Sequence, residues 1–235
     1  PDVFAAVENG GADYGVIPIE NSTEGAVFHS MDTLRDSSLF IVGQIYMPIE
    51  HCLISRGSLE EIRKVCSKDQ AIGQCREWLR RNLENVEIEY VESTTVAVKM
   101  ARDNPEIAAI GSAIAADYYG VPVLEHGVQD KKNNQTRFLV IGKNFAPKSP
   151  DVKYKTSLVL SVNDRPGALY DMLLPFNRMN INLTRIESRP SKTKAWSYYF
   201  FVDFEGHWED DNVRTAVAEL QKTLPMVKWL GSYPM

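Results

Sequence analysis

The chain has 235 residues, 44% of them hydrophobic and 24% charged, with a formal net charge of −5. That balance suits one large or two smaller globular domains, and the missing basic runs argue against a nucleic-acid surface. No apolar run approaches the ~20 residues of a membrane span and no leader pattern opens the chain, so a cytoplasmic protein without membrane contact is expected.

In chain order, residues 2–8 read as a helix, YGVIPI (14–19) as a short apolar strand and residues 25–35 as a helix. Residues 39–54 form an extended stretch too long for one ordinary strand, so it is expected to run from one lobe into another. A second series follows: strand near 64–66, helix 70–83, strand 86–91, helix 94–103, strand 106–110 and helix 113–119. Strands 121–124 and 137–141 close the region. Strands alternating with helices imply a mostly parallel sheet, or two, and FLVI (138–141) reads as a parallel strand buried on both faces. The predicted catalytic region is thus 1–142, with one lobe at about 1–48 and 121–142 and the other at about 49–120.

Residues 143–154, KNFAPKSPDVKY, hold two prolines and no apolar period, the pattern of a linker. Beyond it the order changes to strand 156–162, helix 167–179, strand 181–188, strand 196–204, helix 211–224 and strand 227–233. This βαββαβ series over 155–235 predicts a ferredoxin-like split βαβ domain. Pro175 is expected to distort the first of its helices.

Cys52, Cys66 and Cys75 are odd in number and form no C-x-x-C pair, so reduced thiols are expected. His29, His51, His126 and His207 show no metal-binding spacing, and nucleotide or cofactor fingerprints are missing. What remains are polar groups at strand ends, where ligands of open α/β sheets gather. NNQTRF puts Thr136 and Arg137 at the mouth of a core strand, on opposite faces by parity. Glu20, Asn21, Ser22 and Thr23 follow strand 14–19, and Ser93, Thr94 and Thr95 open helix 94–103. A helix cap or a turn accounts for each cluster as readily as a ligand does. Gln74, off the apolar stripe of helix 70–83, reads by default as exposed. In the second domain Asn163 and Asp164, before Pro166 and Gly167, are read first as a helix start.

IPIENS (17–22), the N-x-T-R-F of residues 134–138 and the E-S-R-P of residues 187–190 together resemble prephenate dehydratase, in the family's order and across the whole chain. The resemblance implies a two-lobed, periplasmic-binding-protein-like catalytic region followed by a regulatory ACT domain. It also implies a homodimer or tetramer, no cofactor and no metal. The expected reaction converts prephenate to phenylpyruvate, water and CO2 under feedback control by L-phenylalanine. Catalytic roles are carried over to Thr136, Glu20, Asn21 and Gln74, with the Thr136 hydroxyl facing a crevice between the lobes. Ser22, Ser93, Thr94, Arg137 and Phe138 are placed around the substrate, although its face makes Arg137 a structural partner rather than a clamp. Asn163, Gly167, Ala168, Leu169, Glu187, Ser188, Arg189 and Pro190 are expected to form the phenylalanine pocket, commonly at a subunit interface in ACT domains. Family members begin with a strand, a Gly-Pro-x-Gly loop and a helix upstream of what aligns with Pro1, so a longer parent chain is expected. Two other readings stay open: arogenate dehydratase, and a metabolite sensor without catalysis.

Overall fold

Phe4, Ile17, Leu34 and Ile41 share one core with Leu139 and Ile141, and that same core takes in Val159, Phe201, Leu230 and Tyr233 from the C-terminal region. The computed structural model describes residues 1–145, 147–191 and 198–235. It divides into one unit of residues 1–47 and 136–235, which holds this core, and a second unit of residues 48–135. The chain begins with α1 (Asp2–Glu8), β1 (Tyr14–Asn21), β2 (Gly25–Ala26), α2 (Phe28–Asp36) and β3 (Phe40–Pro48). It continues through β4 (Cys52–Ile54), β5 (Lys64–Ser67), α3 (Asp69–Gln74), α4 (Arg76–Asn82), β6 (Glu87–Tyr90), α5 (Thr94–Asp103), β7 (Ile107–Gly111), α6 (Ala113–Tyr119) and β8 (Val123–Glu125). After β9 (Gln135–Gly142) come β10 (Tyr154–Ser161), α7 (Ala168–Arg178), β11 (Leu183–Pro190), β12 (Tyr198–Glu205), α8 (Asp211–Thr223) and β13 (Met226–Pro234).

The first sheet of unit 1 has the order β2-β1-β9-β3. β9 pairs antiparallel with β1, not parallel as its apolar run suggested. A strand covered on both faces gives a continuous run in either direction, so composition alone does not fix polarity. The helix predicted from residue 25 starts instead at Phe28. The Asn21 side-chain oxygen accepts the backbone N–H groups of Thr23 and Glu24 at 2.9 and 3.0 Å, closing a turn. Gly25, at φ +84°, then carries the chain back as β2, paired with Glu20 and Asn21.

The C-terminal βαββαβ series forms a four-stranded antiparallel sheet of order β11-β12-β10-β13, as the element order predicted. Trp196 and Ser197 of the expected strand 196–204 lie outside the described residues. Leu158, Leu160, Val202 and Phe204 pack on the helix side with Met172, Phe176, Val213 and Leu220. Val159 and Phe201, one residue out of phase, point into the core shared with the first sheet. Residues 155–235 thus share a hydrophobic core with residues 1–47 and 136–142 across the proline-containing stretch. Phe145 in that linker packs against Phe40 and Trp229, ring centroids 5.6 and 5.2 Å away. At Gly231, φ +149°, an added Cβ would lie 2.1 Å from the Ile41 carbonyl oxygen. Only glycine permits that approach.

Unit 2 has a five-stranded sheet of order β6-β5-β7-β4-β8, parallel at β5–β6 and β5–β7 and antiparallel at β4–β7 and β4–β8. β8 thus belongs with unit 2, and residues 121–135 do not return to the first lobe as predicted. The expected helix 70–83 is two helices, broken at Cys75. Asp130 explains the break. Its N–H bonds the Gln74 carbonyl at 2.8 Å, and its carboxylate accepts the N–H groups of Glu77 and Trp78 at 3.0 and 2.9 Å, starting α4 afresh. Among the described residues no helix is long and apolar enough to cross a membrane.

Candidate active site

Along the β1–β9 pair, Pro18 lies opposite Phe138, but the register then shifts so that Glu20 faces Arg137 and Asn21 faces Thr136. Ile19 is the extra residue, its side chain in the core. Without the shift Glu20 would stand opposite Thr136. A bulge beside a functional group commonly re-aims side chains in this way.

The Asn21 amide donates through Nδ2 to Thr136 Oγ1 at 2.8 Å. Its orientation follows from the turn: two backbone donors occupy the oxygen, so the nitrogen must point to Thr136. Thr136 thereby accepts one hydrogen bond and keeps its own O–H to give. Its side chain is half-buried at the strand end, not sealed in packing. Glu20 Oε2 lies 3.4 Å from Arg185 Nε and 3.8 Å from Arg137 Nη1, an ion pair with two guanidinium groups. Ser22 is exposed in the following turn, and Phe138 is half-buried opposite Pro18.

Arg137 points to the opposite face of β9 from Thr136. It is 5% exposed and directed with Leu139 and Ile141 into the shared core, where Nη1 bonds Asp203 Oδ2 at 2.7 Å and Nη2 donates to the Tyr233 hydroxyl at 2.9 Å. The inclusion of Arg137 among substrate contacts is corrected accordingly, whereas parity correctly separated it from Thr136. Burial opposes its charge, but the Asp203 carboxylate and the Tyr233 and Asp203 contacts outweigh burial and hold the guanidinium firmly protonated.

In unit 2, Gln74 ends α3 and is half-buried rather than exposed. Its Oε1 lies 2.8 Å from His51 Nε2 and accepts from Asn134 Nδ2 at 3.1 Å. Asn134 needs an acceptor there, so the His51 Nε2–H tautomer completes the set. The histidine spacing gave no reason to single out His51, whose partner lies 23 residues further on. Ser93 caps α5 by accepting from Val96 N at 3.1 Å, with Thr94 at the first helical position. Burial raises the thiols of Cys75 to about 12 and Cys66 to about 11, which leaves both protonated and poor nucleophiles.

Residues 1–146 match the prephenate dehydratase family, and residues 156–221 match the ACT domain. The chain belongs to the prephenate dehydratase family. It is 46% identical over 235 residues to the bifunctional chorismate mutase/prephenate dehydratase of Aquifex aeolicus, covering 99% of this chain and 64% of that relative. It is 39% identical over 238 residues to the prephenate dehydratase of Methanocaldococcus jannaschii, covering 100% of this chain and 85% of the relative. The crystal structure of the Arthrobacter aurescens prephenate dehydratase in complex with L-Phe superposes with a TM-score of 0.88 at 32% identity, covering 98% of this chain and 78% of that one. The fold is accordingly the periplasmic-binding-like α/β fold of prephenate dehydratases with a C-terminal ACT domain.

In the ACT part, a cavity of ≈ 190 Å³ lies between the α7 start and β12, lined by Asn163, Asp164, Arg165, Ala168, Leu169 and Phe200 among others. Gly167 opens α7 with φ +80°, a left-handed turn that starts the helix without a side-chain cap. The E-S-R-P residues divide by strand parity. Ser188 and Pro190 lie opposite Phe200 and Tyr198, the cavity-lining positions of β12. Glu187 and Arg189 point to the other face: Glu187 lies 3.6 Å from Arg185, and Arg189 pairs with Asp32 of α2 at 2.9 Å and stacks on Phe28. Arg189 is therefore tied to α2 and Glu187 to a neighbour on its own strand, and neither lines the cavity.

Proposed function

We propose that this chain catalyses the decarboxylating dehydration of prephenate to phenylpyruvate. Residues 1–142 supply the catalytic region, 143–154 the connection and 155–235 the regulatory ACT domain. The orientation of Thr136 by Asn21 carries this reading: an amide fixed from behind presents a hydroxyl donor at a strand end. In the reaction the bond from the ring to the leaving carboxylate breaks, its electron pair moves through the ring, and the C–O bond to the ring hydroxyl breaks. That oxygen departs as water after gaining one proton, which solvent ultimately supplies.

A threonine hydroxyl is too weak an acid to be the proton reservoir. Thr136 instead donates a hydrogen bond that strengthens as hydroxide character grows on the departing oxygen, and Asn21 holds it there. Glu20 is assigned to charge balance against Arg185 and Arg137. Gln74, tied to His51 and Asn134, serves as a polar substrate contact, with Ser22 and Phe138 beside Thr136. Ser93 and Thr94 at the α5 start anchor the pyruvyl carboxylate. The commitment of Arg137 to Asp203 suits this chemistry, because a guanidinium on the leaving carboxylate would stabilise the ground state.

L-Phenylalanine, the ligand in the Arthrobacter aurescens structure, is the proposed effector at the cavity lined by Asn163, Ala168 and Leu169. A cytoplasmic homo-oligomer completes the reading. Absorbance-monitored phenylpyruvate formation from prephenate, with and without phenylalanine, tests it, and parallel assays on arogenate separate the two dehydratase activities. Turnover of neither substrate by the folded chain sinks the proposal.

A further inference from the structure

Four buried side chains close a ring between the strand of Thr136 and the ACT sheet. Arg137 Nη2 donates to the Tyr233 hydroxyl at 2.9 Å. Ser157 Oγ donates to Asp203 Oδ1 at 2.6 Å, so across the 2.7 Å Ser157–Tyr233 contact the tyrosine is the donor. Arg137 Nη1 on Asp203 Oδ2, at 2.7 Å, completes the circle. Each proton in it has one acceptor. Burial pushes the Tyr233 phenol well above its usual range, so the proton this ring requires stays in place. Arg137 Nε is held in turn by Gln44 Oε1 of β3 at 3.1 Å.

A buried ion pair is weak grounds for stability, since apolar residues of similar size often serve as well or better. Its value is geometric: a charge-assisted, cooperative circuit accepts few arrangements. Three of its four members stand on β10, β12 and β13, and the fourth is the residue next to Thr136. We propose that Asp203, Tyr233 and Ser157 are positioning residues for the reaction, acting through Arg137 to fix the backbone that carries Thr136. The inference rests on the catalytic role assigned to Thr136. The ACT sheet is then part of the mould of the catalytic site, apart from any effector it binds.

The test uses the full chain and two variants. Tyr233→Phe removes one hydroxyl from the ring and keeps the packing. The double variant Arg137→Met/Asp203→Leu removes both charges, so that neither is left buried alone. In variants with wild-type melting curves, kcat on prephenate is expected to fall by about ten- to a hundredfold, the scale of a small misplacement of a catalytic group. KM should stay within about twofold, because Thr136 acts in the transition state. Amide hydrogen exchange of residues 135–138 should speed up relative to the far end of β9. Should the double variant fail to fold, Tyr233→Phe alone decides. Wild-type kcat together with unchanged exchange at residues 135–138 in the folded variants overturns the proposal. If the wild-type chain turns over no prephenate, the proposed function fails, and the exchange measurement still decides whether the ring fixes that strand end.

Discussion

Asn21 spends its oxygen on a turn and its nitrogen on Thr136, so two substitutions separate its functions. Asn21→Asp keeps an acceptor for Thr23 and Glu24 but turns the hydroxyl of Thr136 toward the new carboxylate. A kcat lower by about 100- to 1,000-fold is expected, the usual cost of losing one transition-state donor, with a melting temperature near wild type. Thr136→Ser should keep part of the turnover and Thr136→Val should abolish it with the fold intact. Equal turnover of the valine variant would refute the role. His207 gives a prediction about pH. Its Nδ1 accepts the Glu209 N–H at 3.1 Å, its ring packs edge-on against Tyr154, and burial lowers its pKa. A depressed histidine binds fewer protons folded than unfolded, so its stabilisation is complete above about pH 6.5 and is lost as the pH falls below that value. Thermal melts between pH 7.5 and 5.5 should show this loss in the wild type, and a shallower slope in His207→Asn, whose amide oxygen replaces the ring acceptor.

Elements with a clear period were legible from the sequence; those set by distant partners were not. The βαββαβ order of the ACT part followed from alternation and helix spacing, and α5 and α6 matched their predicted limits because Ser93 and Ser112 cap them locally. Parity alone assigned Thr136 and Arg137 to opposite faces. Nothing local, however, announces the one-residue shift at Ile19 that sets Asn21 opposite Thr136. The break at Cys75 was equally hidden, since the groups that cause it belong to Asp130. The same dependence yields a test. Asp130→Ala leaves the first N–H groups of α4 without their cap, at a cost of about 1 kcal/mol. Denaturant unfolding of the full chain should record that loss.

For the molecule as a whole, the sequence marked where composition changes, at residues 143–154, but not where the core is shared. Val159, Phe201, Leu230 and Tyr233 look like one face of any ACT sheet, and only their packing against Ile17, Leu34 and Ile41 reveals the partner surface. A fragment of residues 1–142 would expose that apolar face to water, so it should express as aggregate or bind hydrophobic dyes, where the full chain stays monodisperse in size-exclusion chromatography. The contact at Gly231 carries the point further. Because Ile41 leaves no room for even a methyl group there, the two halves cannot diverge independently. A chimera that takes its regulatory half from another member of the family must import a compatible β3 along with it, or inherit a seam that does not close.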